Sequence, residues 1–505
     1  MIPGFYYHAF EQTLLPSGRE LISPTFERSW HVRFTPTELG EWDYQIVATA
    51  NDMRVTSAPH SFSVTESNRR GFIRVDERNP SYLVFDDGTP YFAIGENMAW
   101  YGGGGTADYL QWMDALSVAD GNFIRVWLAS WGFGFEWMDT GLGNYDLRQQ
   151  QAFQLDKVFE MAAERDIYIM LTLLNHGAFS PDVDPEWNAN PLNADNGGPL
   201  NEPGEFATDP EAIRLWHQKL RYIAARWGYS PNLMAWEWWN EVNWTQMVDP
   251  DLLGPWIERS AAYLEPLDPY HHLITHSGSP IEDAVIWGLG SIDFVQHHQY
   301  NIENITGEFN DIITEWRAEY PDKPFLMGEF GSPSENDNQG IFLHLGLWSA
   351  LMHGSFGTAM TWWWDSYVHP NDLYQHFAGI AAFFEGEDLA AHQWIYANST
   401  LNEDASAQIY GLQDDAAALL WIVSDNYSPA YFEAAYTANP SDPITFPEVN
   451  DAILNLTELT DGEYEVEWWD TYTGVVIGID SVQVVNGQAN ISIPTFSTDL
   501  AIKVR

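Results

Sequence analysis

At 505 residues and 45% apolar content, the chain is long enough for about three domains, each with a sizeable core. A formal net charge of −51, with lysine only at positions 157, 219, 323 and 503, repels nucleic acid and anionic membranes, so neither is an expected partner. Cysteine is absent, which excludes disulfides and thiolate chemistry, and no apolar run approaches the ~18 residues of a membrane-spanning helix.

Residues 1–67 read as β structure. Trp30-His-Val-Arg-Phe34 and Trp42-Asp-Tyr-Gln-Ile-Val-Ala48 alternate with period two across the turn at 36–40, and Ser61-Phe-Ser-Val-Thr65 follows. These are too few strands to close two sheets, so a partial, N-terminally truncated β-sandwich is expected. No signal peptide is visible at Met1-Ile-Pro-Gly-Phe5, and a secreted or cell-surface protein that has lost its start is the expectation.

From Gly71 the texture changes. Eight short apolar runs, at 91–95, 123–128, 167–174, 233–239, 273–276, 293–298, 324–328 and 358–364, alternate with amphipathic stretches. That is the βαβα pattern of a parallel sheet with outer helices, and eight units over 68–400 predict a (β/α)8 barrel. The stretch 209–228 carries good helix signals: Asp209 as N-cap, Pro210 at the first helical position and Gly228 at the end. The longest loop, 177–208, follows the third run and lies on the face where a barrel keeps its chemistry. From 401 to 505 the β texture returns, and a C-terminal β-sandwich is expected. The fold class is therefore α/β, a TIM barrel flanked by two sandwiches.

The ends of barrel strands converge on one rim. They supply Glu96 and Asn97 (first), Arg125 (second), His176 (third), Asn240 and Glu241 (fourth), His298 and Tyr300 (sixth), Glu329 (seventh) and Trp362-Trp-Trp-Asp365 (eighth). Paired carboxyl groups with Arg, His, Tyr and Trp suit hydrolysis of a neutral polyhydroxylated substrate. Glycoside hydrolysis needs one carboxyl group that keeps its proton and one that stays ionised near the anomeric carbon. Glu241, with Trp236, Trp238 and Trp239 near it in sequence, has the more apolar setting and is assigned as acid/base. Glu329 is assigned as nucleophile, held ionised by Arg125 and Tyr300, and Asn240 is placed to bond the sugar 2-hydroxyl.

Asn240-Glu241 after strand four and Glu329 after strand seven resemble the catalytic pair of glycoside hydrolase clan A, whose (β/α)8 retaining enzymes include the family 5 cellulases and mannanases. Arg125 in Phe-Ile-Arg-Val-Trp, His176, and His298-Gln-Tyr300 extend the resemblance. Phe34-Thr-Pro-Thr-Glu-Leu-Gly-Glu-Trp-Asp-Tyr44 resembles the β-sandwich domain that often precedes such barrels. The clan implies a polysaccharide or oligosaccharide substrate of plant or algal origin, retention of anomeric configuration, and carboxyl groups ~5–5.5 Å apart.

The remaining features take plainer readings. Tyr101-Gly-Gly-Gly-Gly105 has no Lys-Ser/Thr after it and reads as a loop rather than a phosphate cradle. Neither His271-His272 nor His297-His298 chelates easily, since neighbours on a strand point to opposite faces. Asp182, Asp184 and Asp195 read as a solvated acidic loop in preference to a calcium site. Neither metal nor cofactor is called for. Trp363 and Trp364, with Trp187 from the long loop, are the candidate sugar platforms. The readings set against a retaining glycoside hydrolase are a non-catalytic carbohydrate-binding protein on the same scaffold and a metal-dependent barrel hydrolase. Two coupled carboxylates argue against the first, and the lack of a His-x-His pair on strand one against the second.

Overall fold

The computed structural model describes residues 1–51, 53–278, 285–439 and 444–505. Parallel strands Gly95–Asn97, Phe123–Trp127, Tyr168–Asn175, Leu233–Asn240 and Leu273–Thr275 pair in that order. The chain runs on through Ser277–Gly278, which pairs with Val295–Gln299 and then Phe325–Phe330. The eighth run closes the ring without a ladder of its own. Gly357 bridges Ala93 and Thr361 bridges Phe330, both in parallel sense. Thr358 N–H donates to Ala93 O (2.8 Å) and Met360 N–H to Met327 O (2.9 Å). The result is a (β/α)8 barrel.

Every residue of Tyr168–Asn175, Leu233–Asn240 and Phe325–Phe330 is buried, which is why these strands read as unbroken apolar runs. Within them the pleat sorts side chains. Phe123, Met170, Leu273, Phe294, Leu326 and Met360 form an apolar floor inside the barrel. Ile124, Val126, Ile169 and Leu171 join the larger core shared with the helices. Two residues beyond the floor, the same inward positions carry Arg125, Thr172, Glu237 and Gln296. The barrel is therefore oily below and polar above, and the polar layer is where the chemistry is held.

Helix Pro210–Trp227 begins as its sequence predicts, with Asp209 accepting from Glu211 and Ala212 N–H. It buries Leu215, Trp216, Leu220, Ile223 and Trp227 against the barrel. The first 67 residues form three antiparallel pairs: Phe5–Leu14 with Glu20–His31, Gly40–Tyr44 with His60–Val64, and Val47–Ala50 with Met53–Thr56. Segments 30–34 and 42–48 therefore do not face each other as the alternation suggested. Each finds a different partner, and the Trp42 and Phe62 rings stack at 6.4 Å in the second pair. Beyond residue 394, a six-stranded and a three-stranded antiparallel sheet share an apolar core of Leu420, Ile422, Val466, Trp468 and Ile502 with Leu454, Leu456 and Ile491. The opposite face of the larger sheet, through Leu419, Trp421 and Ala501, belongs to the barrel's core. No described helix is long and apolar enough to cross a membrane.

The N-terminal segment is tied to the barrel by a buried carboxylate. Asp156 accepts paired hydrogen bonds from Arg226 (2.8 and 3.0 Å) and from Arg33 (2.9 and 3.0 Å), and another from Trp227 Nε1 (2.9 Å). Burial pushes its pKa up, but Arg226 and Arg33 overcome that and hold it below the ordinary value. A depressed carboxylate stabilises the fold above its unfolded pKa and loses that contribution as pH falls through the folded one. Asp156→Asn is expected to melt well below wild type at pH 7, with the gap closing below pH ~4. Melting curves against pH check this; a gap that does not change with pH contradicts it.

Candidate active site

Arg125 is fully buried at the centre of the polar layer, and all five of its N–H groups have acceptors. Nε and Nη2 donate to the two oxygens of Glu237 (2.6 and 2.7 Å), Nη2 also to Asn240 Oδ1 (2.6 Å), and Nη1 to Glu329 Oε1 (2.5 Å) and Asn97 Oδ1 (3.1 Å). A guanidinium has no further donors. Glu237 is equally committed, accepting also from Thr172 Oγ1 (2.5 Å), Ser277 Oγ (2.8 Å) and Gln296 Nε2 (2.8 Å). Burial raises its pKa, yet Arg125 pulls it below the ordinary value, so Glu237 is a fixed anion.

Glu329 stands on this base. Its second oxygen accepts from Tyr300 OH at 2.5 Å. Burial, with Glu241 adding to it, raises its pKa above the ordinary value, and His298, Arg125 and the Tyr300 hydrogen bond offset only part of that. Glu241, at the tip of strand four, has a left-handed backbone (φ 48°) and a partly exposed side chain. Its backbone N–H donates to Ser277 Oγ at 3.1 Å, which holds the strained tip. Glu241 Oε1 lies 3.1 Å from His298 Nδ1 and Oε2 lies 3.7 Å from His176 Nδ1. Burial raises the Glu241 pKa; His176 and Arg125 oppose this and Glu237 and Asp184 add to it. His298 is pushed down to about 4 by burial, so its ring is neutral at neutral pH, and its Nδ1 also lies 3.6 Å from Glu329 Oε1. One oxygen of Glu241, one of Glu329 and a ring nitrogen of His298 lie within 4.8 Å of one another. A divalent ion there would sit against the Arg125 guanidinium, and the set is better suited to sharing protons.

Of the residues read from strand ends, Arg125, His176, Asn240, Glu241, His298, Tyr300 and Glu329 meet in this cluster. Trp363 is close by, its indole within reach of Gly331 beside the Tyr300 ring. Four readings are corrected. Glu96 is buried on the other side of the first strand, near Asp365 and Tyr374, and neither carboxyl oxygen has a hydrogen-bond partner among the described residues. Asn97 faces inward but spends its amide on the carbonyls of Gly328, Met360 and Thr361, so it braces Arg125 and has no hydrogen left for a sugar. Trp364 is buried beneath Trp100 and Trp112 at the start of a π-helical turn, Trp364–Val368, and is no platform. Trp187 is likewise buried, against Phe179.

Two features were missed. Glu237 lies inside an apolar run, where a lone charge signals a buried cation partner. Trp127, two residues after Arg125, has the guanidinium 5.2 Å from its ring centre and leads through Trp362 and Trp100 to the half-exposed Trp131.

No family model matches the chain. Mannan endo-1,4-beta-mannosidase F of Aspergillus fumigatus is 26% identical over 236 residues, 44% of this chain and 50% of that protein. Mannan endo-1,4-beta-mannosidase 7 of Oryza sativa is 23% identical over 295 residues, 49% of this chain and 75% of that protein. Over about half its length the chain is thus similar to mannan endo-1,4-beta-mannosidases. This agrees with the clan A, family 5 resemblance, although the match to the Aspergillus enzyme spans only half of that relative's length. A crystal structure from Bacteroides vulgatus, 14% identical, superposes over 99% of this chain and 98% of its own with a TM-score of 0.60, so the fold is shared from end to end.

The Arg125–Glu237 pair makes a stability prediction. Removing one partner of a buried pair leaves the other charge uncompensated, so Glu237→Ala is expected to cost about 3–5 kcal/mol. Urea unfolding measures it, and a loss below about 1 kcal/mol contradicts the assignment.

Proposed function

We propose that this chain is a retaining β-glycoside hydrolase acting on a plant or algal polysaccharide or its oligosaccharides, with β-1,4-mannan the first substrate to test. The observation that carries the reading is the approach of Glu241 and Glu329 oxygens to within 4.8 Å. Retaining enzymes hold their carboxyl groups ~5–5.5 Å apart, whereas inverting enzymes leave ~6.5–9.5 Å for a water. In the first step a Glu329 oxygen forms a bond to the anomeric carbon. The glycosidic C–O bond breaks, and the Glu241 proton goes to the departing oxygen. In the second step Glu241, now ionised, takes a proton from water as that water's oxygen displaces Glu329.

The partners of each group support these roles. Arg125 and Tyr300 each aim a hydrogen bond at Glu329, which favours its anion, while burial outweighs them and leaves its pKa above the ordinary value, as burial does for Glu241. Glu241 has no cation in direct contact, and burial with the fixed Glu237 anion favours its proton. Among the described residues Asn240 keeps one amide hydrogen without an acceptor after bonding Arg125 and His176, enough for a 2-hydroxyl. We read 68–400 as the catalytic barrel, 1–67 as a partial and 401–505 as a complete flanking sandwich. A polymeric substrate fits a secreted or cell-surface setting.

Hydrolysis of a panel of β-mannans, glucans and xylans, with and without chelator, tests the substrate and a metal-free mechanism. Glu241→Ala and Glu329→Ala are each expected to lose about 10³-fold or more in rate. Azide should restore part of the Glu329→Ala activity on an aryl glycoside and give a product of inverted configuration. Either variant retaining most of its activity refutes the assignment, and loss of wild-type activity in chelator refutes the metal-free step.

A further inference from the structure

The segment after strand three folds back over His176. Ser180 Oγ accepts from Asp182 N–H (3.2 Å) and Val183 N–H (2.9 Å), making a tight turn. Asp184 takes a left-handed backbone (φ 44°), and its carbonyl oxygen would lie 2.6 Å from a Cβ on Gly177, so only glycine permits this approach. The turn brings the Asp184 carboxylate, whose side chain is 83% exposed, to 3.2 Å from His176 Nε2. On the other side of the ring, His176 Nδ1 lies 3.0 Å from Asn240 Nδ2.

These contacts determine where the ring proton is. Asn240 Oδ1 is taken by Arg125 Nη2, so the end of the amide facing His176 is Nδ2, a donor. Nδ1 must then accept, which leaves the ring proton on Nε2, where Asp184 accepts it. The opposite tautomer would set two donors face to face and would favour a flipped Asn240, breaking its bond to Arg125.

Resting on the reading of Glu241 as acid/base, we propose that Asp184 is a positioning residue of the reaction: it accepts the Nε2 proton of His176 and so holds Asn240 and the ring in the arrangement that faces Glu241. The exposed acidic loop is thereby coupled to the buried guanidinium through one imidazole. The charged and titratable groups around the ring and Glu241 are Asp184, Glu186, Glu237, Arg125, His298, Tyr300 and Glu329. Of these, Asp184 is the one that reaches the ring from solvent. Its negative charge also favours the protonated form of Glu241.

The experiment uses the full chain with 15N-labelled histidine, the His176 signals being assigned by their loss in His176→Gln. Wild type is expected to show a proton on Nε2 and none on Nδ1. Asp184→Asn, whose amide oxygen still accepts, should keep that signature, and Asp184→Ala should lose it. In turnover, Asp184→Ala should lower kcat about 10-fold with little change in KM, and Asp184→Asn should recover most of it. Both remove a negative charge beside Glu241, so its proton leaves at lower pH and the basic limb of the kcat/KM profile should move to lower pH. A wild-type ring protonated on Nδ1, or Asp184→Ala with unchanged signals and rates, overturns the proposal. The tautomer is read without substrate. A wild type that hydrolyses nothing but keeps the Nε2–H signature would therefore sink the hydrolase reading and leave the Asp184–His176 contact standing.

Discussion

The geometry of the site depends on the guanidinium of Arg125. A buried cation that had to find five acceptors anywhere but here would be costly; in the barrel's polar layer it finds them on strands one, four and seven at once. Its planar fork pairs both oxygens of Glu237 and leaves its other edge for Glu329 and Asn240, a division a lysine could not make. Glu237 is in turn fixed by Thr172, Ser277 and Gln296 from three neighbouring strands. The distance between Glu329 and Glu241 is thus inherited from a network that reaches around most of the barrel.

The electrostatics follow from the same centre. One guanidinium faces two carboxylates, Glu237 and Glu329, so the cluster is already one negative charge in excess before Glu241 is counted. A third ionised carboxyl group within 4.8 Å of Glu329 is disfavoured, and the proposed roles put the proton on the group with the fewest donors, Glu241. Beneath, the apolar floor keeps water from reaching Arg125 from below. Above, the loop around Asp184 and the neutral His298 set what surrounds Glu241.

Much of this was legible along the chain because a parallel strand buried on both faces has an unmistakable texture, and its polar end marks the rim. Arg125, His176, Asn240, Glu241, His298, Tyr300 and Glu329 were found that way. Glu237 was not, because the same rule treats everything before the strand tip as core. Phase errors account for other misses. The first strand pairs through Asn97, two residues past the end of its apolar run, so Asn97 turns inward and Glu96 outward. Glu237 and Asn240, three apart, both reach Arg125, so strict alternation fails near a strand tip. Trp364 begins a π-helical turn, where period two no longer applies. Pairing in residues 1–67 depends on distant partners that local alternation cannot name.

The most direct measurement is the configuration of the first-formed product, followed by proton NMR of the anomeric signal during hydrolysis of a β-linked substrate. Two carboxyl groups held this close by Arg125 predict that the β-anomer appears first, with the α-anomer growing in only as the free sugar mutarotates. Initial appearance of the α-anomer would mean a water attacks directly, and the arrangement described here would not be the working one.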